Sequence, residues 1–288
     1  MLLSLFEEYL NKHLFSLSTF HPHYETALNK MLLSGGKRFR PMLLLGVVQA
    51  YAPSEVKRSL CVAMAVEFFH TYSLIHDDLP AMDDASLRRG TPTLHTTYND
   101  ALAVLAGDAL NTEAFYLITK SEFDSAIKCD LIGELSLAGG ARGMVLGQAI
   151  DLEFEDKKLS LEELIILHNN KTAKLIASSL KMGAIIAKLD TQKQDKIYAL
   201  GLDLGLLFQM QDDILDVTQS SEETGKDANQ DEHKNSFVNL LGLKRAIEET
   251  DKKVAQIMDN LLSFDNSFRE YFLPILEIYL HRHKKRSQ

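Results

Sequence analysis

Residues 73–84 read Ser-Leu-Ile-His-Asp-Asp-Leu-Pro-Ala-Met-Asp-Asp and end a long apolar segment that starts near residue 55. Apolar residues in this segment recur at intervals of three and four, which is the period of an α-helix. The same period continues through most of the chain, and few stretches alternate apolar with polar residues as a strand does. The sequence therefore predicts an all-α fold. Helices are expected near 2–16, 22–33, 41–52, 55–80, 100–119, 125–155, 160–188, 192–216, 236–262 and 268–281.

The composition is that of a folded, acidic chain. Hydrophobic residues make up 45% of the 288 residues, which is enough to bury a large core. No linker or internal repeat interrupts the helical segments, so we expect a single domain over residues 1–288. The formal net charge of -9 argues against a nucleic-acid partner, because a phosphate backbone selects for clustered lysine and arginine.

The termini and the cysteines indicate where the protein acts. The N-terminus lacks the basic flank and the apolar stretch of a signal peptide, and no run of about 18 apolar residues is unbroken. We therefore expect a soluble, cytoplasmic protein without stable membrane insertion. Cys61 and Cys129 lack CxxC spacing, and each is expected to be a buried, reduced thiol. The basic tail at 282–286 suits a membrane surface, but a solvated terminus is the simpler expectation.

Two groups of carboxylates interrupt otherwise apolar helices. They comprise Asp77, Asp78, Asp83 and Asp84 in the first acidic group and Asp212, Asp213 and Asp216 in the second acidic group. A single Asp-Asp pair is more often a helix cap or a solvated surface feature. Two such groups in apolar helices would be strongly penalised unless a metal or a cation neutralised them. Hard divalent cations such as Mg²⁺ take oxygen ligands and bridge carboxylates to substrate phosphates, so the sequence predicts magnesium between the two groups.

The spacing within the first acidic group requires a departure from ideal helix geometry. Six residues separate Asp77 from Asp83, which places the two side chains about 120° apart on an ideal helix. Pro80 lies between them and removes one backbone hydrogen bond, so we expect a bulge that brings Asp83 beside Asp77. Asp84 would align with Asp77 without distortion and remains a second-choice ligand.

Basic residues that suit a diphosphate alternate with the acidic groups along the chain. Residues 35–41 read Gly-Gly-Lys-Arg-Phe-Arg-Pro and offer backbone N–H groups, an ammonium and two guanidinium groups at the start of a helix, whose dipole favours anions. Further cations follow at Arg88, Arg89, Lys171, Lys226 and Lys234. The last two lie in a polar segment at 218–235 that we expect to close over a ligand as a lid. Each cation alone is more often a surface residue, and the alternation of acids with bases carries the prediction.

Six of these stretches, taken in order, resemble the motifs of the polyprenyl synthetase family, and in particular its bacterial short-chain members. They are residues 35–41, His70 with 73–84, Arg-Arg-Gly at 88–90, Gly-Met-Val-Leu-Gly-Gln at 143–148, Lys171-Thr172, and Phe-Gln-Met-Gln-Asp-Asp-Ile-Leu-Asp at 208–216. The resemblance spans residues 30–245 approximately. It implies an isoprenoid-synthase-type helical bundle around a central apolar cavity, a homodimer, and magnesium-dependent prenyl transfer.

The resemblance also implies roles for individual residues. Isopentenyl diphosphate would be held by Lys37, Arg40, His70 and Arg89, with Phe208 against it. The allylic diphosphate would be held by Arg88, Lys171, Thr172, Gln209, Lys226 and Lys234. Asp77 and Asp83 would bind two magnesium ions and Asp212 a third, while Asp78, Asp213, Asp216, Gln148 and Asp151 would assist. The catalytic set would be Asp77, Asp83, Arg88, Lys171, Asp212 and Lys226. Residues 235–237 read Asn-Ser-Phe where the family has Ser-Thr-Tyr, which puts the details of lid closure in doubt.

This arrangement suits the removal of diphosphate from an allylic carbon. Magnesium and basic side chains stabilise the negative charge that develops on the leaving group, and do so more strongly in a dry site than in water. An apolar cavity shelters the allylic cation until the double bond of isopentenyl diphosphate attacks. Condensation with dimethylallyl and then geranyl diphosphate is expected to give (2E,6E)-farnesyl diphosphate. No protein nucleophile is needed, so His76 is expected to be structural.

Product length is expected to depend on side chains beneath the first acidic group. Tyr72 and Phe69 would lie about 7 and 12 Å down the helix from Asp77. In the family an aromatic residue at the position of Tyr72 goes with a C15 product, and the neighbouring Ser73 belongs to the same chain-length set. These aromatics are alternatively ordinary core residues, an alternative that is strongest for Phe68.

Three rival functions share some of these features. A geranylgeranyl or longer-chain synthase would use the same chemistry and is the nearest alternative. A terpene cyclase would share the fold and one acidic group, but it would not need a second-substrate site such as Lys37, Arg40 and Arg89. A non-catalytic helical subunit would be expected to have lost at least one acidic group, and here both are complete.

Overall fold

The computed structural model of the protein describes residues 1–218 and 235–284, which form α-helices and one short β-hairpin. The helices before the hairpin are α1 (Leu2–Lys12), α2 (Tyr24–Leu33), α3 (Phe39–Tyr51) and α4 (Val56–Asp77). The hairpin pairs β1 (Leu87–Arg88) antiparallel with β2 (Thr91–Pro92). The later helices are α5 (Leu94–Thr97), α6 (Asp100–Lys120), α7 (Ser125–Gly139), α8 (Met144–Glu153), α9 (Leu161–His168), α10 (Lys174–Ile186), α11 (Thr191–Thr218), α12 (Phe237–Leu241), α13 (Leu243–Leu262) and α14 (Asn266–Leu280). The predicted all-α class is confirmed.

Side-chain caps explain where several helices begin. Asn99 accepts a hydrogen bond from the backbone N–H of Leu102 at the start of α6, and Asp124 caps α7 in the same way. At α9, Ser160 and Glu163 form a reciprocal capping box. These caps satisfy N–H groups that have no partner within the helix, so the polar residues between the apolar segments set the helix starts.

Two large apolar clusters hold the helices together. One cluster joins α1, α2, α4, α6 and α7, the other joins α11, α13 and α14, and α3 and α10 contribute to both. Helix α4 packs against α6 and α3, while α10 packs against α3, α7 and α11. Helix α4 carries the first acidic group at its C-terminal end and α11 carries the second, so this packing brings the two groups to one region of the fold.

Several predicted boundaries were wrong, and backbone geometry explains most of the differences. The expected helix at 125–155 is two helices, because the chain turns at residues 140–143. The expected helix at 236–262 is also divided, at Gly242, whose φ of +80° is left-handed. Helix α1 ends at Lys12 and α4 at Asp77, earlier than predicted. The segment at 86–99 is not a plain loop, since it contains the hairpin and α5.

Helix α6 has an unusually apolar composition. Among the described residues it is the one helix long and apolar enough to span a membrane, with a mean hydropathy of 1.3 over 18 residues. One such helix is weak evidence for a membrane span. Packing against α4 in the first apolar cluster accounts for the buried part of this composition, which is 39% of the window, and Leu105 and Tyr116 remain exposed. The expectation for the cysteines was wrong in part, because Cys129 is exposed and Cys61 only partly buried.

Candidate active site

The first acidic group surrounds the C-terminal end of α4. Asp77 is the last residue of the helix, and Asp78 is its cap. The chain then turns back, so that the N–H of Asp83 donates to the carbonyl oxygen of Asp77 over 2.9 Å. The expected proximity of Asp77 and Asp83 is present, but the expected bulge is not, because the helix ends before Pro80.

Asp84 points away from this pair. Its backbone is left-handed, with φ of 47°, and its side chain is 71% exposed. Its Oδ1 lies 3.7 Å from Nε2 of His95. Burial raises the pKa of Asp77, and the charge of Asp83, in contrast to that of Asp84, is close enough to add to this effect. The geometry therefore favours Asp83 over Asp84 as the partner of Asp77.

Arg88 pairs with the two adjacent aspartates of the first acidic group. The hairpin presents its guanidinium so that Nη2 lies 2.5 Å from Oδ1 of Asp78 and 3.5 Å from Oδ2 of Asp77. Burial nevertheless raises the pKa of Asp78 to about 6. Oδ2 of Asp78 is buried and has no hydrogen-bond partner among the described residues. Asp78 is thus held by Arg88 and retains one unused acceptor.

Asp77 also meets polar groups from α8 and from the segment before α10. Gln148 donates from Nε2 to Oδ1 of Asp77 over 2.6 Å, and Nζ of Lys171 lies 4.0 Å from the same oxygen. The Lys171 ammonium is 2.5 Å from Oδ2 of Asp151. Burial alone would lower the pKa of Lys171, but Asp77 and Asp151 outweigh it and raise that pKa to about 12. Lys171 therefore stays positively charged.

A turn of π-helix at Asn169–Ala173 connects the two acidic groups. Within it Lys171 faces Asp77, whereas the hydroxyl of Thr172 donates to Oε1 of Gln209 over 3.2 Å. Gln209 in turn donates from Nε2 to Oδ1 of Asp213 over 2.9 Å. A π-turn is often found at functional sites, and here it directs adjacent residues to opposite sides of the site.

Two members of the second acidic group have clearly different surroundings. Oδ2 of Asp213 accepts a hydrogen bond of 2.7 Å from the N–H of Phe237 and so holds the start of α12. Burial raises the pKa of Asp213 to about 7. Asp216 is exposed near the end of α11.

The cationic loop at 35–40 lies beside the hairpin turn. Arg89 donates from Nη1 to the carbonyl oxygen of Gly35 over 2.6 Å. A Cβ atom on Gly36, whose φ is +117°, would lie 2.6 Å from Cζ of Arg89. The backbone conformation therefore favours glycine at this position, and a larger residue would also displace the end of the Arg89 side chain. Lys37 is exposed in the same loop.

Arg40 and His70 form a second contact in this region. Nη1 of Arg40 lies 3.1 Å from Nε2 of His70. Burial, followed by the charge of Arg40, lowers the pKa of His70 well below its ordinary value, so the imidazole is neutral. Nε of Arg40 is buried without a hydrogen-bond partner among the residues described. This pair thus has an unused donor near the charge of Arg89. The ring of Phe208 stacks on Phe39, the residue before Arg40, at 5.5 Å.

Arg38 is not available for a diphosphate, contrary to the expectation that both arginines of the loop bind anions. Its side chain donates to Glu67 over 2.7 Å, to Glu7 over 2.8 Å and to the carbonyl oxygen of Leu32. Its φ of 47° turns the chain into α3 at this point. Arg38 therefore anchors the loop that carries Arg40.

The C-terminal turn was expected to be solvated, and this was wrong for Arg282 and His283. Arg282 donates from Nη2 to Oδ1 of Asp212 over 2.7 Å, and its guanidinium lies 4.3 Å from the ring centre of Phe208. Sequence reasoning missed Arg282 as a site residue. A basic residue beyond the last helix gives no signal that distinguishes it from a solvated end.

The expected chain-length residues line one side of α4. The rings of Phe69 and Tyr72 meet edge to face at 4.7 Å, and Phe115 of α6 lies 5.7 Å beyond Phe69. Phe68 instead faces Phe15, at 5.5 Å. The hydroxyl of Ser73 donates to the carbonyl oxygen of His70. His76 packs on Gly107, as expected for a structural residue.

Two residues expected at the site, Lys226 and Lys234, lie outside the described residues. The next residue, Asn235, donates from Nδ2 to the carbonyl oxygens of Phe154 and Lys157 and accepts from the N–H of Leu159. The departure from the family pattern at Asn235 therefore anchors the chain after the predicted lid to the segment after α8.

The donor set fits magnesium. In the described part of the chain, no three His, Cys, Asp or Glu side chains are grouped tightly enough to hold a metal by themselves. Magnesium does not require such a group, because it usually binds through one or two carboxylates together with substrate phosphates. The carboxylates of Asp77, Asp83 and Asp212, with the unused oxygen of Asp78, are hard oxygen donors of the required kind.

Comparisons with known proteins identify the family to which the chain belongs. A model of the polyprenyl synthetase family matches residues 21–270. Farnesyl diphosphate synthase of Bacillus subtilis (strain 168) is 44% identical over 230 residues, which cover 78% of this chain and 77% of that protein. Geranylgeranyl pyrophosphate synthase 7, chloroplastic, of Arabidopsis thaliana is 41% identical over 247 residues, which cover 84% of this chain and 71% of that protein.

A solved structure extends the similarity to the whole fold. The crystal structure of a geranyltransferase from Helicobacter pylori, complexed with magnesium and isoprenyl diphosphate, matches with a TM-score of 0.93 and 44% identity, covering 96% of this chain and 94% of that one. The expected enzyme class, a prenyltransferase, is confirmed by these relatives. Family model, relatives and fold thus agree, and the chain belongs to the polyprenyl synthetase family.

Proposed function

We propose that the protein condenses isopentenyl diphosphate with dimethylallyl and then geranyl diphosphate to give (2E,6E)-farnesyl diphosphate. The single observation that carries the proposal is the π-turn between the acidic groups. Lys171 lies 4.0 Å from Asp77, and Thr172 reaches Asp213 through Gln209. Adjacent residues of one turn thus present an ammonium to the first acidic group and a hydroxyl to the residue that contacts the second, which suits a diphosphate bound with its metal ions between the two groups.

The allylic diphosphate belongs between the two acidic groups. Magnesium bound there would stabilise the negative charge of the departing diphosphate. We assign Asp77, Asp83 and Asp212 as ligands of three ions. Arg88 and Lys171 supply positive charge that stays in place, because their pKa values are raised by the neighbouring aspartates. Lys226 and Lys234 are proposed to add charge from the lid.

Isopentenyl diphosphate belongs at the cationic loop, against Lys37, Arg40 and Arg89. The unused Nε donor of Arg40 and the neutral ring of His70 suit an anion, since a buried donor without a partner is costly. The carbon–oxygen bond of the allylic diphosphate breaks, and the double bond of isopentenyl diphosphate attacks the resulting cation. The departed diphosphate then takes the proton that is lost.

A geranylgeranyl diphosphate synthase is the second candidate, and relatives of that name are as similar in identity as some of the farnesyl diphosphate synthases. The rings of Tyr72, Phe69 and Phe115, which meet edge to face, favour the shorter product. They fill the space along α4 beneath Asp77, where a longer chain would have to extend. The C15 product is therefore the one we propose.

Incubation of the purified protein with isopentenyl and geranyl diphosphates, with and without Mg²⁺, tests the proposal. We expect farnesol after dephosphorylation, and only with metal. Asp77→Ala and Asp212→Ala should each slow turnover by at least about a hundredfold, as loss of a group that stabilises transition-state charge does. Asp84→Ala is the matched control and should stay near the parent rate. Parent-like turnover of Asp77→Ala and Asp212→Ala would refute the proposed site.

We further propose that this single-domain protein acts in the cytoplasm as a homodimer. Apolar side chains on α6, α7 and α8 support pairing with a second copy, since Leu105 is 56%, Leu137 52% and Val145 51% exposed. Sedimentation analysis of the parent and of Leu105→Asp would test it. A monomeric parent would contradict the proposal.

A further inference from the structure

Arg282 places a positive charge on the second acidic group from the far end of the chain. It belongs to a 3₁₀ turn at Arg282–Lys284 that directly follows α14. Its Nη2 donates to Oδ1 of Asp212 over 2.7 Å, and its guanidinium stacks on Phe208. Both partners lie on α11, four residues apart and therefore on one face.

The turn that carries Arg282 is anchored independently of this contact. The side chain of His283 is completely buried, and its Nε2 lies 3.0 Å from Oδ1 of Asp251. Gln211 donates from Nε2 to the carbonyl oxygen of Leu280 over 2.9 Å and also contacts Nδ1 of His283. Lys284 adds only a solvent-exposed ion pair with Asp251, at 2.7 Å, to the anchoring by His283 and Gln211. Arg282 is therefore held in position at Asp212 by its neighbours.

A metal ion at Asp212 would need the lone pairs that the guanidinium now uses. Arginine is always protonated and binds carboxylates strongly, so its contact with Oδ1 opposes metal coordination at that oxygen. Nη1 of Arg282 is buried without a hydrogen-bond partner among the described residues, which marks a donor available to another anion. Nη1 thus offers a diphosphate oxygen a donor that the contact with Asp212 does not use.

We propose that Arg282 is an internal counter-cation of Asp212 that divalent metal displaces. Metal binding at the second acidic group is then coupled to the C-terminal turn. Arg282 is a positioning residue that keeps the Asp212 carboxylate neutralised and oriented until metal and diphosphate arrive together. The inference rests on the proposed function, because it takes Asp212 to be a metal ligand.

The test compares Arg282→Gln with Lys284→Gln in the full-length protein. Lys284→Gln removes a charge from the same turn but not the contact with Asp212. Thermal unfolding is followed as Mg²⁺ is titrated at a fixed, saturating concentration of inorganic diphosphate, so that free metal is the same for every variant. Because a ligand stabilises the folded state according to its affinity, the Mg²⁺ concentration at half of the rise in melting temperature reports binding.

We call the Mg²⁺ concentration at half of the rise in melting temperature the half-point. Arg282→Gln should lower the half-point by about tenfold, which is the size expected for the loss of a competing charge-assisted hydrogen bond. Lys284→Gln should leave it unchanged, and Arg282→Lys, which keeps the charge and is the safer variant for folding, should lie between. In an Asp212→Asn background, Arg282→Gln should have no further effect. If Arg282→Gln required an equal or higher Mg²⁺ concentration for half of the rise in melting temperature, competition between Arg282 and the metal would be refuted, but the proposed metal site would not. No metal-dependent stabilisation of the parent would overturn the proposed function as well.

Discussion

Gly147 of α8 lies directly against the backbone of Lys171, so that a Cβ atom at residue 147 would be 2.1 Å from the Lys171 nitrogen. Backbone cannot move as a side-chain end can, and the contact therefore sets the position of the π-turn. We predict that Gly147→Ala costs about 1–3 kcal/mol of unfolding free energy, as overpacking does. It should also raise KM for geranyl diphosphate, because Lys171 is displaced.

Gly133 provides the matched control for this prediction. It lies within α7, and a Cβ atom there would meet nothing within 4 Å. Gly133→Ala should stabilise the protein by about 0.5–1 kcal/mol, since alanine has the higher helix propensity. Denaturant unfolding and steady-state kinetics of both variants check the pair. Equal stability and KM for Gly147→Ala and the parent would contradict the close approach.

The buried ion pair of Arg38 and Glu67 should be needed for the cationic loop. Each side chain is 2% exposed, whereas Glu7, the other acidic partner of Arg38, is 35% exposed. Glu67→Gln should cost about 3–5 kcal/mol of unfolding free energy, because it leaves a buried guanidinium poorly neutralised. Glu7→Gln should cost about 1 kcal/mol or less, as a partly exposed pair does. Denaturant unfolding of the two variants measures the difference, and similar losses would contradict this ranking.

Tyr72 should limit product length. Tyr72→Ala removes the ring of the residue five positions before Asp77 and should shift the product from C15 to C20 or longer, as shown by chromatography of the dephosphorylated alcohols. Phe68→Leu is the control, because Phe68 faces Phe15 rather than Tyr72. An unchanged product from Tyr72→Ala, or a lengthened product from Phe68→Leu, would refute this assignment.

His168 should make the stability of the protein depend on pH. It is buried against Phe237, and burial lowers its pKa from 6.5 to about 4. Below pH 6.5 the unfolded chain takes up a proton that the folded protein does not, so stability is complete above that pH and falls towards pH 4. The loss should reach about 3 kcal/mol.

His168→Phe tests this pH dependence by removing the titrating ring. Between pH 7 and pH 4 the unfolding free energy of the parent should fall by about 3 kcal/mol more than that of His168→Phe. Exposed His281 gives the control, because His281→Gln should keep the parent's pH dependence. Parallel curves of unfolding free energy against pH for His168→Phe and the parent would contradict the prediction.

Prediction from sequence succeeded where a local pattern carries the information. The period of apolar residues indicated the all-α fold, and the spacing of Asp77 and Asp83 indicated that the backbone departs from an ideal helix there, although the predicted bulge is instead the end of the helix. It failed where the same residue type has several possible partners. Arg38 and Arg40 are two residues apart in one cationic loop, yet Arg38 is held by Glu67 and Glu7 while Arg40 keeps an unused donor.

The aspartates, the bases between them and the aromatic residues before them are local features, and their order along the chain was sufficient to indicate the chemistry. The contacts that these residues make could not be predicted in this way, because a contact such as Arg282 with Asp212 or Gly147 with Lys171 joins residues far apart in the chain. Helix packing sets those distances, and the charge and hydrogen-bonding capacity of a side chain do not specify which distant group it will meet. The assignment of each charge to metal, substrate or fold therefore depends on the assembled helices.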